Sequence, residues 1–409
     1  MKNIIYITFI LIFLFSSLNL TEGLNITGVF IVYIILLSFF VIPIFIRGKL
    51  RVNLPTIITM YFFVLFSAIS SYNNMDLKSL FGASMIFILY LVSCIIVPSL
   101  NFNFNKIIAS TVLISHLPLI IFPIIANGFN TIPYKGIFYN PNSMGTVAGT
   151  IFAILLSGLL SDLEYIITGR KKNEKVNLIF RGLLLIGTLY LITISSSRTS
   201  FLAVILCLLV GTTYLSVYFI KNKKFVNYIF RGGIILVISS IFFLLILKFT
   251  EFNEAIYNSI FYKFELRSSQ SGGVLSSRDN IWSKTIQEAG IFGNGNTYFT
   301  DMGIGAHNTF ISILGEYGWF SLISFIMFLV IGLYYSTKYS LSNINDRYKY
   351  LPLMMFIVFV TMSMGEVMIF KISMIAMFLS LGAAMNRKES GNKRIPIQSA
   401  WNVDRPLMQ

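Results

Sequence analysis

The chain has 409 residues, 56% of them hydrophobic and only 11% charged, with a mean hydropathy of +0.78. Soluble domains carry about 25% charged residues, so this composition excludes a soluble enzyme and marks an integral membrane protein. The formal net charge of +15 does not point to nucleic acid, because positive charge gathers in the cytoplasmic loops of membrane proteins for topological reasons.

Apolar runs near the length of a membrane helix recur along the chain, and short alternating strand patterns do not. The expected fold is an all-α polytopic membrane protein of about twelve transmembrane helices. The predicted spans are 3–20, 27–46, 54–71, 78–99, 106–126, 143–163, 178–195, 200–220, 232–249, 307–335, 351–367 and 369–386. The first follows Met1-Lys-Asn-Ile-Ile-Tyr6 without a small-residue cleavage site and is read as a retained helix, not a signal peptide. The last two form one apolar stretch broken by Gly365-Glu366 and Lys371, either a hairpin or a single long span with a re-entrant piece. Residues 1–386 thus make one transmembrane domain, and 387–409 a basic, disordered cytoplasmic tail.

With both termini inside, all but nine of the 31 basic residues fall on the cytoplasmic side. The exceptions are Lys78, Lys135, Arg198, Lys248, Lys263, Arg267, Arg278, Lys284 and Lys371. The largest outside segments are then 127–142 and 250–306, the latter a large extracytoplasmic loop between spans nine and ten. Within it, Glu251 to Leu266 reads as an amphipathic helix, with Phe252, Ile256, Ile260 and Phe264 on one stripe. Arg267-Ser-Ser-Gln-Ser-Gly-Gly273 is flexible, and Ser276 or Ser277 caps a short helix from Arg278 to Glu288. Gly293-Asn-Gly-Asn296 is a turn, and a loop this long suits a lid or a binding element.

Three charged or titratable residues then share the outer side. Arg198 interrupts two spans within Ser195-Ser-Ser-Arg-Thr-Ser200, Arg278 opens the short loop helix, and His307 begins span ten. Charge near a bilayer is costly and marks function by default. Arg198 can instead snorkel to lipid phosphates, but its small polar neighbours suit an enclosed wet site better. Arg278 alone is equally a solvated loop charge, and His307 alone a helix-end histidine satisfied by backbone. Together, two guanidiniums offer bidentate phosphate recognition, and a histidine adds proton transfer near neutral pH. That set can expel a pyrophosphate while activating a hydroxyl. His116, mid-span beside Leu117-Pro118, is read as packing. Glu316 lies nine residues after His307, on the opposite face of a straight helix, and is read as structural. Cys94 and Cys207 lie inside apolar runs, so no disulfide framework is expected. Without Asp-x-Asp, paired histidines or cysteine ligand spacing, no metal and no other cofactor is expected. In Tyr134-Lys-Gly-Ile-Phe-Tyr-Asn-Pro-Asn-Ser-Met-Gly145, the Asn-Pro-Asn-Ser run is a turn and helix cap. Tyr134, Phe138, Tyr139, Asn140 and Asn142 are also candidates to line a sugar site.

In this order, Gly136-Ile-Phe-Tyr-Asn-Pro-Asn-Ser-Met-Gly145, Ser195-Ser-Ser-Arg-Thr-Ser200, Ser277-Arg-Asp-Asn-Ile-Trp282, the Gly293-Asn-Gly295 turn and His307-Asn-Thr-Phe-Ile-Ser-Ile-Leu-Gly-Glu-Tyr-Gly318 resemble the O-antigen ligase and polymerase superfamily of bacterial glycan assembly. The likeness covers residues 130–330; beyond them it is a matter of span count. It implies metal-independent, inverting transfer of a glycan from undecaprenyl pyrophosphate on the outer face of the inner or plasma membrane. Arg198 and Arg278 would bind the pyrophosphate, and His307 would act on the acceptor hydroxyl or help hold the leaving group. Asn140, Asn142, Tyr139, Asn308 and Trp282 are the expected substrate-binding residues. The implied partners are a lipid-linked glycan donor and acceptor, the bilayer, and chain-length regulator and flippase proteins. A polymerase of O-antigen or capsular repeat units is preferred to a ligase that transfers to lipid A-core. A transporter of lipid-linked oligosaccharides is the other class. It would show internal repeats and mid-membrane charge, whereas this chain shows no repeat and offers only Glu366 as a buried carboxylate for ion coupling.

Overall fold

The computed structural model describes residues 2–18, 20, 21, 36, 52–100, 102–129, 132–168, 174–221, 257, 278–303, 305–342 and 346–385. Apart from residues 36 and 257, the predicted spans 27–46 and 232–249, the amphipathic helix 251–266, the 267–273 stretch, the Ser276–Ser277 cap and the 387–409 tail lie outside the described residues. The twelve helices described are α1 (Lys2–Leu18), α2 (Leu54–Asn73), α3 (Leu77–Ser99), α4 (Phe104–Asn127), α5 (Pro141–Thr168), α6 (Glu174–Ile194), α7 (Arg198–Lys221), α8 (Arg278–Glu288), α9 (Tyr298–Asp301), α10 (Thr309–Ser340), α11 (Leu351–Ser363) and α12 (Ile372–Met385). Seven of them, α2 to α7 and α10, are long and apolar enough to cross a membrane. The chain is a helical membrane protein.

Short polar side chains start these helices, because the first turn leaves backbone N–H groups without intrahelical acceptors. Asn53, Asp76, Asn103, Asn140 and Asn308 each accept from a backbone N–H one helical turn or less ahead. Small residues then let the helices approach where backbones must come close. Gly145 and Gly149 of α5 face Ser197, Ser200 and Met362, and Gly382 of α12 sits against the Ser93 carbonyl of α3. That carbonyl lies in a π-helical stretch, Leu91–Ile96, where the wider coil offers backbone to a neighbour. α5 is almost wholly buried and packs on α4, α6, α7, α11 and α12. By contrast, α10 leaves Phe320, Ile323, Met327, Val330 and Tyr334 exposed as a stripe, the face a bilayer would cover.

Two departures from regular helix shape one end of the bundle. The first is in α10, where Gly318 has φ 85° and ψ −180° and the helix breaks. The segment 290–295 fills the gap in the backbone ladder. Asn294 N and Gly295 N donate to the Gly315 and Glu316 carbonyls (2.8 and 3.1 Å), while Trp319 N and Phe320 N donate to the Gly290 and Ile291 carbonyls (3.4 Å each). A Cβ on Gly318 would lie 2.3 Å from Gly293 N, so only glycine fits that approach. The predicted straight helix from His307 is therefore corrected: the helix starts at Thr309 and is interrupted at Gly318. Glu316 there accepts from Ser312 Oγ (2.7 Å), and its carbonyl from Ser70 Oγ (3.0 Å).

The second departure is the turn 364–371 between α11 and α12, which pack on each other as a hairpin. At 13 and 14 residues, each helix is only about 20 Å long, short of the ~30 Å hydrocarbon core. With its flanking turns α11 nevertheless reaches from end to end of α5. Lys349 pairs with Glu164 near the C-terminus of α5, and Glu366 meets Asn142 at its N-terminus.

Candidate functional site

The 364–371 turn is where the charged residues meet. Helices α5, α7 and α10 begin around it, and their first residues touch it, as does Arg278, the first described residue of α8. Asn142 Nδ2 donates to Glu366 Oε1 (2.7 Å). Thr199 of α7 abuts Gly365, so that a Cβ there would lie 2.1 Å from Thr199 Cγ2. Arg278 Nη1 donates to the Gly365 carbonyl (2.9 Å), and its Nη2 lies 3.8 Å from Glu366 Oε1. Asn308 Nδ2 donates to the Met364 carbonyl (3.2 Å), and Thr309 Oγ1 to the Glu366 carbonyl (3.1 Å). His307 Nδ1 lies 3.7 Å from Glu366 Oε2. Converging helix N-termini favour an anion, because their free N–H groups and dipoles point at it. The Glu366 carboxylate lies among them, met by the side chains of Asn142, Arg278 and His307.

Burial by itself would raise the Glu366 carboxyl. His307, Lys371 and Arg278 overcome it and hold the group below the ordinary glutamate value. Lys371 is lowered by burial, with Glu366 opposing that. The site therefore holds an ionised carboxylate among cations at the edge of an apolar bundle, a cluster of perturbed groups of the kind that carries chemistry.

Backbone strain is concentrated in the same loops. Four non-glycine residues among those described have positive φ: Met75, Ser196, His307 and Phe370. Three of these lie in the turns that carry Arg198, His307 and Glu366. Such conformations cost on the order of 1–3 kcal/mol each and persist where the surroundings over-determine them. His307 is held from both sides. Asn308 caps α10 by accepting from Phe310 N and Ile311 N (2.8 and 3.2 Å), and Trp282 Nε1 donates to the Ala306 carbonyl (3.0 Å). Trp282, Ile281, Phe299 and Ala306 form a small apolar cluster that ties α8 to the start of α10.

The expected site residues thus divide. Arg278, His307 and Asn142 come together directly on Glu366. Arg198 opens α7 one residue before the Thr199 that packs on Gly365. Asn308 and Trp282 use their polar atoms to fix the His307 backbone. Asn140 accepts from Ser143 N (2.8 Å) as the cap of α5. Of the nearby rings, Phe138 and Tyr134 are buried in the core and Tyr139 is exposed. His116 packs in the core, bonded to Ser17, Ser115 and the Val112 carbonyl. Glu366 and Lys371 were not among the expected site residues. The signal for both was available, since each is a charge inside an apolar stretch.

At the other end of the bundle lies a different charge network. Asp162 pairs with Arg181 (2.9 Å) and Arg347 (3.3 Å), Glu164 with Lys349, and Tyr350 Oη donates to Glu164 (3.0 Å). The carboxylates and Lys349 are buried and the two arginines partly so, and together these compensated charges form a structural clamp between α5, α6 and the start of α11. Among the described residues no group of three His, Cys, Asp or Glu side chains is arranged to hold a metal ion. Fold and site together define a helical membrane protein with a cation-lined polar site at one end. No family profile matches the sequence, and no curated protein matches it.

Proposed function

We propose that this chain is a glycosyltransferase that polymerises undecaprenyl-pyrophosphate-linked repeat units into O-antigen or capsular polysaccharide. The observation that carries the reading is the seat shared by Arg278 and His307 on Glu366, where the N-termini of α5, α7, α8 and α10 converge. An arginine fork at helix N-termini suits a diphosphate, and an adjacent half-exposed imidazole suits a hydroxyl. In the proposed step the acceptor oxygen forms a bond to the anomeric carbon as the bond from that carbon to the pyrophosphate oxygen breaks. The configuration inverts, the electron pair leaves with the pyrophosphate, and Arg198 and Arg278 neutralise the added charge. His307 takes the hydroxyl proton. Tyr139 and Asn142 are the proposed sugar contacts, with Asn140, Asn308 and Trp282 holding the frame around them.

The reading includes twelve spans, cytoplasmic termini and a site on the outer face of a bacterial inner or plasma membrane. The distribution of basic residues supports it. Arg181, Arg347 and Lys349 mark the proposed cytoplasmic end and, through Asp162 and Glu164, also clamp it. Donor and acceptor lipids, the flippase that delivers them and a chain-length regulator are the proposed partners.

The test is glycan chain length in cells carrying His307→Ala beside wild type and a deletion strain. Single repeat units attached normally are the expected result. Full-length chains left on the lipid carrier would mark a ligase instead. An unchanged ladder, with the variant present in the membrane, would sink the proposed site.

A further inference from the structure

We propose that Glu366 is the positioning residue of this site, one carboxylate that sets the orientation of the anion-binding Arg278 and the proton-handling His307 together. The inference rests on the functional reading above and adds a residue and a role to it. Its two oxygens are divided between the two tasks. Oε1 accepts from Asn142 Nδ2 (2.7 Å) and faces Arg278 Nη2 (3.8 Å), while Oε2 faces His307 Nδ1 (3.7 Å).

The carboxylate is itself fixed before any substrate arrives. Glu366 N donates to the Met362 carbonyl (3.0 Å), its own carbonyl accepts from Thr309 Oγ1 (3.1 Å), and Thr309 Oγ1 in turn accepts from Met368 N (2.9 Å). A group held at backbone and side chain can hold others, which is what supporting residues of a site must do. Exposure assigns the roles. The His307 side chain is 45% exposed and the Glu366 side chain 15%. The imidazole is thus the group that reaches an incoming hydroxyl, and the carboxylate stands behind it. With Nδ1 towards Glu366, Nε2 is left for the acceptor, because the partner of one ring nitrogen fixes the task of the other.

The same carboxylate limits Arg278. The guanidinium is anchored by the Gly365 carbonyl on one amino group and drawn to Glu366 by the other. Its planar fork is therefore aimed before the diphosphate arrives, and part of the ordering cost of binding is already met. The arrangement has a cost of its own, since a carboxylate in an anion site repels a diphosphate. A scaffold residue and a positioning residue consequently differ in sign. Neutralising a positioning carboxylate weakens transfer while leaving binding of the diphosphate intact or tighter. Losing a scaffold residue weakens both.

The experiment uses the full-length protein in lipid nanodiscs with two probes. Undecaprenyl pyrophosphate reports binding, and lipid-linked repeat units extracted from the deletion strain of the native host report transfer. Glu366→Gln should lower transfer by about 30-fold or more and bind undecaprenyl pyrophosphate at least as tightly as wild type. Glu366→Asp, which keeps the charge, should recover part of the rate. In a His307→Ala background, Glu366→Gln should cost no more than about 3-fold further, because residues acting as a unit are non-additive. Wild-type transfer by Glu366→Gln overturns the proposal, as does a loss of carrier binding in step with the loss of rate. The two readings fail separately: an active His307→Ala removes the functional reading, whereas an inactive His307→Ala beside an active Glu366→Gln removes only the role of Glu366.

Discussion

Replacing Gly365 with alanine is a single-methyl perturbation whose effect follows from geometry. The added Cβ would lie 2.1 Å from Thr199 Cγ2, whereas ordinary van der Waals contact begins near 3.4 Å. The start of α7 and the 364–366 turn must therefore separate by about 1.3 Å, an overpacking that costs about 1–3 kcal/mol. The movement falls between Arg198, one residue before Thr199, and Arg278, which is bonded to the Gly365 carbonyl. Misplacing groups that act on one substrate by ~1 Å can cost about 100-fold in rate, so transfer should fall far more than stability does. The compensating change is Thr199→Ser, which deletes Cγ2. The nearest Thr199 atoms to the new Cβ are then Cβ at 3.3 Å and Oγ1 at 3.7 Å, close to ordinary contact. Three variants, Gly365→Ala, Thr199→Ser and the pair, are compared for glycan ladder in cells and for melting temperature in detergent. The expected pattern is a collapsed ladder for Gly365→Ala, a normal one for Thr199→Ser and a largely restored one for the pair. A normal ladder from Gly365→Ala, or no recovery in the pair, would refute the packing argument.

Two further perturbations separate the chemistry from the scaffold. Arg278→Lys replaces a fork that spans the Gly365 carbonyl and Glu366 with a single ammonium. Losing a charged hydrogen bond worth about 1.5–3 kcal/mol should lower transfer roughly 10- to 100-fold at unchanged melting temperature, and near-normal activity would remove Arg278 from the site. Asp162→Asn leaves Arg181 and Arg347 without their shared carboxylate at the other end of the bundle. Breaking a buried pair costs about 3–5 kcal/mol, so melting temperature and abundance should fall while activity per folded molecule stays the same. A stably folded but inactive Asp162→Asn would overturn the division between clamp and site.

The helices were legible because a membrane span is a matter of composition and length. Ten of the predicted spans overlap described helices, seven of which are long and apolar enough to cross a membrane, and the loop helix ends at Glu288, before its following turn. What hydropathy could not show was the break in α10. An apolar run reads as continuous whether or not another segment supplies its missing hydrogen bonds. The trace of the break lies in two glycines, Gly293 and Gly318, whose missing side chains allow backbone to meet backbone. Counting helical rotation from His307 to Glu316 consequently started from a residue outside the helix, at φ 47°. The Glu316 carboxylate accepts from Ser312 on its own helix, and its backbone carbonyl from Ser70 on α2.

The site was half legible for a related reason. Arg198, Arg278 and His307 stand beside polar residues, so their charges were conspicuous as site candidates. Glu366 lies between apolar helices, and sequence proximity couples it to nothing but Lys371. Its hydrogen-bond partners Asn142 and Thr309 lie 224 and 57 positions away, and Arg278 and His307 also come from distant segments. Only the packing of α5 and α10 on α11 brings them together. Yet the energetic reasoning applied to the arginines applies to it with greater force, since a carboxylate among apolar side chains must be neutralised or paired. Two positive side chains expected at one end of a bundle already require such a counter-charge when no ligand is bound, and the site's own chemistry therefore argues for an anionic residue near them. The 351–386 stretch contains one carboxylate, Glu366.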